Sequence, residues 1–453
     1  MLHRPDTDAE LFEKQARKVL DEDGHYLTAV TRMGDLKQVV AREAVFAANG
    51  IKLIDKGVSI GSGMREHLLN HVLLKPIDHS LEVKGGVCGE LLAQEAGRLI
   101  GSEPYLQHLL GSEQDAAAGS EALRRLKLPD QYRFKLTVAR VRLPWLFEHL
   151  LTVALIGFFL AKRLQLSEQQ CATTMIAGLV HDIGELHTDP VLLDRRHRLS
   201  AGELCHLNVH PITGYLIAKE LLGDDPDVAT AVLQHHEKLD GSGYPYRLQG
   251  RALGTLARIL SVAEVCASIV ARVPGRERLS TWMRLNHQKF DPAMIALLQQ
   301  GLRYQEAQDV ADDIRVDEIE ATAKLLRSWS EYCEARASGP PHELDFLFER
   351  MASLRAMLLQ FGFDPDHPQY MQSLMSDKAL SGELGAAFDE VRWQVTDIQR
   401  EALRRRAAID TSLPGGELSL LDACLEEIDC YLQVATPLER IPMAERRGSQ
   451  ASP

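Results

Sequence analysis

Five histidines and two carboxylates lie within one 116-residue window: His149, His181, His210, His235 and His236, with Asp182 and Glu264. His149 and His181 are 32 residues apart, His181 and His210 29, His210 and His235 25, and His236 and Glu264 28. Imidazole and carboxylate are the donors of iron, manganese, nickel and zinc sites, and one carboxylate can bridge two ions. A single histidine would signify little; the set signifies a site for two divalent metals, provided the intervening segments are helices that return these residues to one place. They read so. Ser167-x-x-Gln170 has the form of a reciprocal cap opening a helix that runs through Met175, Ile176 and Leu179 into His181. Ser200-x-x-Glu203 opens the next, with Leu204 and Leu207 leading to His210. Asp225-Pro226 sets a cap residue and an N1 proline before VATAVLQHHE. Gly241, Gly243 and Pro245 break the chain into a loop, and LARILSVAEVCASIV carries Glu264.

HDIGEL at 181–186, His210-Pro211 and HHEKLDGSGYP at 235–245 resemble the HD-GYP family of cyclic di-GMP phosphodiesterases, a metal-dependent, all-helical branch of the HD superfamily. The resemblance runs from about 140 to about 275, and its specificity lies in HHE followed by DGSGYP rather than in the HD dipeptide. It implies two divalent ions, iron or manganese first and nickel or zinc as alternatives. Asp182 would bridge them, His149, His181 and Glu264 completing one coordination sphere and His210, His235 and His236 the other. A hydroxide held between the ions would attack phosphorus, giving the linear dinucleotide or GMP. The loop residues Lys238, Asp240, Gly241, Gly243, Tyr244 and Pro245 would meet the cyclic dinucleotide, or a diguanylate cyclase (GGDEF) partner that the family associates with this loop. His187, His197 and His206 match no ligand position and read as surface residues.

Four departures from the family matter. Its HDIGK lysine, which meets the substrate phosphate, is Glu185 here, so that Arg195 or a metal would have to replace the lost charge. The aspartate of the later helix is Glu264, one methylene longer. The glutamate that some members use for a third metal is Trp145, which implies two ions and not three. CASIVARVPGRER lacks the polar run that usually follows. Glu185, one turn beyond His181, is itself a candidate catalytic group beside Asp182, as an added ligand or a general base.

The 453 residues leave room for two or three domains. Residues 1–130 read as a small α+β input domain, with two strands around Asn49-Gly50 inside 44–60, a helix over GMREHLLNHVLLKP stopped by Pro76, and a helical stretch from Val87 interrupted at Gly101 and Pro104. Residues 131–337 read as the metal-dependent phosphohydrolase domain, Ser338–Pro341 as a linker, 342–436 as a helical extension and 437–453 as a disordered tail. The fold class is therefore mainly α: an all-helical HD-type domain with a small α+β N-terminal domain and a C-terminal helical extension. Leu344, Leu347, Met351, Leu354, Leu358 and Phe361 form one apolar stripe and Phe388, Val391, Val395, Ile398 and Ala402 another. They read as helices packing on each other, with a homodimer interface as the alternative, and Arg404-Arg405-Arg406 reads as solvated surface.

The net charge of −13 offers no general attraction to nucleic acid or to an anionic membrane. Seven cysteines without a CxxC pattern predict reduced thiols. The acidic MLHRPDTDAE is unlike a signal peptide, and the twelve-residue apolar run Leu150–Ala161 is too short to span a bilayer. A cytoplasmic protein is the expectation. Three functions remain in view: an active cyclic di-GMP phosphodiesterase; a weak or inactive HD-GYP signalling module acting through partners; and an HD hydrolase for another nucleotide. A DNA-binding regulator is disfavoured by the charge and by the lack of a helix-turn-helix pattern.

Overall fold

The computed structural model describes residues 5–21, 24–103, 106, 107, 109, 113–194, 197, 199–223, 226–272, 286, 289–302, 316–334, 344–360, 363–374, 378–412 and 415–435. Helices dominate, as the sequence predicts. Met1–Leu199, Cys205–Ser268 and His287–Gln305 compose one compact unit, and Ser200–Leu204, Ile269–Asn286 and Glu306–Pro453 a second. Arg195, Pro104, Asp225, Phe361, the Ser338–Pro341 segment and the 437–453 tail lie outside the described residues.

The first unit opens with helices α1 (Pro5–Asp21) and α2 (Gly24–Gly34), followed by short strands. Strand β1 (Val39–Ala41) pairs antiparallel with β4 (Leu81–Val83), and β2 (Val45–Phe46) with β3 (Lys52–Ile54), the latter around the expected Asn49-Gly50 turn. The helix expected over GMREHLLNHVLLKP is much shorter: α3 spans only Arg65–Leu69. Residues 72–74 instead run alongside β2, Ala48 N donating to Val72 O at 2.8 Å and Leu74 N to Phe46 O at 2.9 Å. Pairing with the hairpin, not Pro76, is what ends the helix. Helix α4 (Gly89–Ser102) continues through Gly101, where an interruption was expected; Glu103 N still donates to Leu99 O. Helix α5 (Glu113–Arg125) packs on α4.

Helices α6 (Asp130–Arg142), α7 (Pro144–Arg163), α8 (Glu168–Val180), α9 (Pro190–Leu193), α10 (Ala201–Leu207), α11 (His210–Leu221), α12 (Pro226–Gln234), α13 (Thr255–Arg272) and α14 (Pro292–Leu302) follow. α7 is apolar on nearly every side, which is the signature of a helix surrounded by others. It extends well beyond the twelve-residue run and is, by length and composition, able to cross a membrane, but 72% of its apolar window is buried inside the protein. α8 packs along it. Ser167 caps α8 as expected: its Oγ accepts from Gln170 N at 3.2 Å while Gln170 Oε1 accepts from Ser167 N at 3.1 Å. α1 lies on α11, where Phe12 and Ala16 pack with Val209, Ile212, Leu216 and Leu233.

The second unit contains α10 through Leu204, α13 from Ile269, and α15 (Val316–Glu334), α16 (Asp345–Gln360), α17 (Gln369–Leu374), α18 (Lys378–Ser412) and α19 (Gly415–Ala435). Both apolar stripes enter one core: Leu347, Met351, Leu354 and Leu358 of α16 share it with Phe388, Val391, Val395, Ile398 and Ala402 of α18 and with Tyr431 of α19. The arginine triplet is not a solvated run. Arg404 and Arg405 pair with the buried Glu401, Arg405 stacks on the Phe346 ring at 4.0 Å, and Arg406 pairs with Asp410 at 2.7 Å. An acid one helical turn away from each cation accounts for the difference.

Candidate metal centre

Each of the seven expected ligands comes from a helix or its end. His149 lies in the second turn of α7, His181 and Asp182 follow α8, His210 is the first residue of α11, His235 and His236 follow α12, and Glu264 lies within α13. Gly184 allows the turn after Asp182 to press against α11: a Cβ there would sit 2.3 Å from the His210 carbonyl oxygen.

One local device recurs at three of the histidines. His181 Nδ1 contacts Gly178 O at 2.8 Å, His210 Nδ1 contacts Leu207 O at 2.9 Å and His235 Nδ1 contacts Val232 O at 2.6 Å. A carbonyl only accepts, so Nδ1 carries the hydrogen and each Nε2 of a neutral ring turns its lone pair inward. Those lone pairs meet carboxylate oxygens. Asp182 Oδ2 lies 3.2 Å from His181 Nε2 and 3.7 Å from His149 Nε2, while its Oδ1 lies 3.2 Å from His210 Nε2 and 3.1 Å from His235 Nε2. Glu264 Oε2 is 2.7 Å from His149 Nε2 and 3.1 Å from His181 Nε2. His236 Nε2 stands 3.2 Å from His210 Nε2. The result is two four-residue groups sharing Asp182: His149, His181, Asp182 and Glu264; and Asp182, His210, His235 and His236. Within each, the ligand atoms lie within 4.8 Å of one another.

This arrangement suits cations. Asp182 Oδ1 is buried without a hydrogen-bond partner, and imidazole lone pairs facing carboxylates repel unless positive charge lies between them. The titration of the groups expresses the same demand. Burial opposes charge at every one of them, yet Asp182 and Glu264 hold His181 well above its ordinary range, and His149 holds Glu264 well below the usual carboxylate range. His236 is pushed well below its usual range by burial and by His235 and His210. The donor set fits divalent iron, manganese, nickel or zinc.

Glu185 belongs to neither group. Its backbone N donates to Asp182 O at 2.9 Å, and its Oε2 is buried without a hydrogen-bond partner. Burial pushes the carboxyl up to about 8, Asp182 and Glu264 adding to the rise and His210 and His149 opposing it. Trp145, one helical turn before His149 where the third-metal glutamate would stand, is 46% exposed.

The loop after the second histidine pair is stapled from beneath by a residue to which the sequence analysis assigns no role. Glu237, fully buried, accepts from Tyr246 N at 2.6 Å and Leu248 N at 3.0 Å, and Ser261 Oγ donates to its carbonyl at 2.9 Å. The readable signal was its place between the ligand pair and the loop. Gly243 passes so close beneath that a Cβ would lie 2.4 Å from Glu237 Cα. Tyr244 stacks on His236 with centroids 4.6 Å apart, Lys238 is buried, and Asp240 Oδ1 accepts from Ser242 N at 2.9 Å. Gly241 and Pro245 complete the turn at intermediate exposure. Ser268, also without an assigned role in the sequence, donates to Glu264 Oε1 at 3.0 Å. His187, expected at the surface, is buried: its ring lies against Tyr26 at 4.7 Å and its Nε2 is 3.4 Å from Lys135 Nζ. The packing of α2 over the turn that follows Asp182 covers it.

An HD domain model matches residues 133–294. A 3'3'-cGAMP-specific phosphodiesterase of Vibrio cholerae is 34% identical over 134 residues, 30% of this chain and 31% of that protein. A cyclic di-GMP phosphodiesterase of Pseudomonas aeruginosa is 28% identical over 156 residues, 34% of each. The chain thus spans about a third of the length of these curated relatives. Among solved structures, an HDG"Y"P protein of Bdellovibrio bacteriovorus is 18% identical over 60% of this chain and 98% of that one, at a TM-score of 0.33.

Proposed function

We propose, from the premise that residues 133–294 are an HD domain, that the protein is a metal-dependent phosphodiesterase acting on a cyclic dinucleotide, cyclic di-GMP first, with release of the linear dinucleotide or GMP. The observation that carries the reading is the Asp182 carboxylate, which offers one oxygen to His149 and His181 and the other to His210 and His235. His149, His181 and Glu264 would hold one ion, His210, His235 and His236 the other, and Asp182 both. Bound there, divalent ions supply Lewis acidity towards a phosphate ester and towards water. The chain's own residues do the rest. The Nδ1–H bonds to helix carbonyls aim three imidazoles and leave Nε2 as the ligating nitrogen, Ser268 orients Glu264, and Glu237 fixes the loop that carries Tyr244 and Pro245 for contact with substrate or with a GGDEF-type partner. The similar proteins include one named for 3'3'-cGAMP and one for cyclic di-GMP, so both dinucleotides belong in the assay.

The deciding experiment measures metal content of anaerobically purified protein, then turnover of both dinucleotides with added manganese or iron. Two ions per chain and hydrolysis that vanishes in Asp182→Ala support the reading; an absence of bound metal would overturn it. One observation favours a second reading, a signalling module with slow or no turnover. A carboxyl, Glu185, occupies the position of the lysine that meets phosphate in the family, buried beside Asp182. Two bound ions without hydrolysis of either dinucleotide would select it.

A further inference from the structure

Away from the metal centre, the first unit has an open-sided cavity of about 500 Å³ bounded by α1, the start of α2, α3, His187 and His206. Its polar lining is rich in basic groups, Lys18, His25, Arg65, His187 and His206, beside Gln15 and the Thr28 hydroxyl, and among the described side chains that line it none is a carboxylate. Among the described side chains that line it the charged ones are cationic, in a chain of net charge −13. Arg65 is held in place by its Nε, which donates to Thr28 Oγ1 at 3.1 Å, and Thr28 Oγ1 in turn donates to Gly24 O at 2.6 Å. Among the described residues, the two terminal nitrogens of the guanidinium have no hydrogen-bond partner. Gly24, the first residue of α2, also lines the cavity, and the amino end of a helix carries partial positive charge. The basic groups sense one another: His206 is pushed down by burial, then by His25, with Lys18 adding to the effect and Asp189 opposing it.

We infer that this cavity is a binding site for a small phosphorylated molecule, distinct from the metal centre. A planar guanidinium with free terminal donors, imidazoles and a helix amino end together form the donor set that phosphate oxygens take up, while the Thr28 hydroxyl holds the guanidinium in place. The volume falls within the range of small-molecule sites and exceeds what a bare phosphate fills. His187 ends the five-residue turn that begins directly after Asp182, so an occupant would touch the same turn that presents the shared carboxylate. The inference does not rest on the hydrolytic reading, since it concerns binding alone.

The test is calorimetric titration of the full chain with ribose 5-phosphate, with ribose and glucuronate as the uncharged and carboxylate counterparts. Wild-type protein should bind ribose 5-phosphate and neither counterpart. Arg65→Gln should weaken binding about tenfold or more, with Arg65→Lys recovering part of it. Unaltered affinity in Arg65→Gln, equal affinity for glucuronate, or no binding at all would each overturn the assignment. If circular dichroism shows Arg65→Gln to be misfolded, Lys18→Gln, an exposed position, decides in the same way.

Discussion

At the scale of single residues, Asp182 is the most consequential side chain, because its two oxygens serve two different histidine pairs. Substitutions should therefore differ in kind. Asp182→Ala should reduce metal content from about two ions per chain to below about one, whereas His149→Ala, which touches one group only, should leave about one. Elemental analysis of the purified variants distinguishes these outcomes; equal losses would contradict a shared carboxylate. Glu185 poses a separate question. Its oxygen is buried and unpartnered, yet it stands outside both four-residue groups. If it supports the site as an added ligand or base, Glu185→Lys should lower metal content or turnover. A gain in hydrolysis would instead mean that this chain merely lost a phosphate-binding lysine.

At the scale of elements, the ligands are only as well placed as the turns that follow the helices. The turn after Asp182 approaches α11 so closely that Gly184→Ala forces a methyl group onto the His210 carbonyl. Overpacking of this kind costs about 1–3 kcal/mol, and here it displaces Asp182 and His210 together, so both thermal stability and metal content should fall. A variant with native stability and full metal content would show that the turn can relax. Glu237 acts on the other side. Removing its carboxylate in Glu237→Ala leaves the part-buried Tyr246 N and Leu248 N without their acceptor, a loss of about 1 kcal/mol. Faster limited proteolysis of the 240–248 loop, with the ligand histidines still in place, is the expected result.

At the scale of the whole molecule, the metal cluster joins α7, α8, α11, α12 and α13, elements distributed over more than a hundred residues of chain. Bound ions should then act as a clamp on the first unit. Chelation should lower its melting temperature, and titration back of manganese should restore it. Free metal at about a hundred times its dissociation constant contributes about 2.7 kcal/mol. A melting temperature indifferent to chelator in protein shown to lose its metal would argue against a site built at the centre of this unit. The second unit, with its core of α15, α16, α18 and α19, supplies none of the seven candidate ligands, so a transition reporting on it should shift less.

The sequence by itself carried the helical class, the cap at Ser167 and the identity of all seven groups that converge, because each of these depends on spacing and residue type along the chain. It also carried both C-terminal stripes, since helical periodicity is a local property. Tertiary structure decided what depends on neighbours distant in sequence. Residues 66–75 carry a helix-like pattern, but residues 72–74 found a better set of hydrogen bonds beside β2. His187 reads as a surface histidine until α2 and Lys135 close over it. Arg404, Arg405 and Arg406 read as solvated until their acids are placed. The division of Asp182 between two histidine pairs, and the support given by Glu237 and Ser268, likewise arise only when helices far apart in the chain are packed together, since no spacing along a sequence records which oxygen faces which ring.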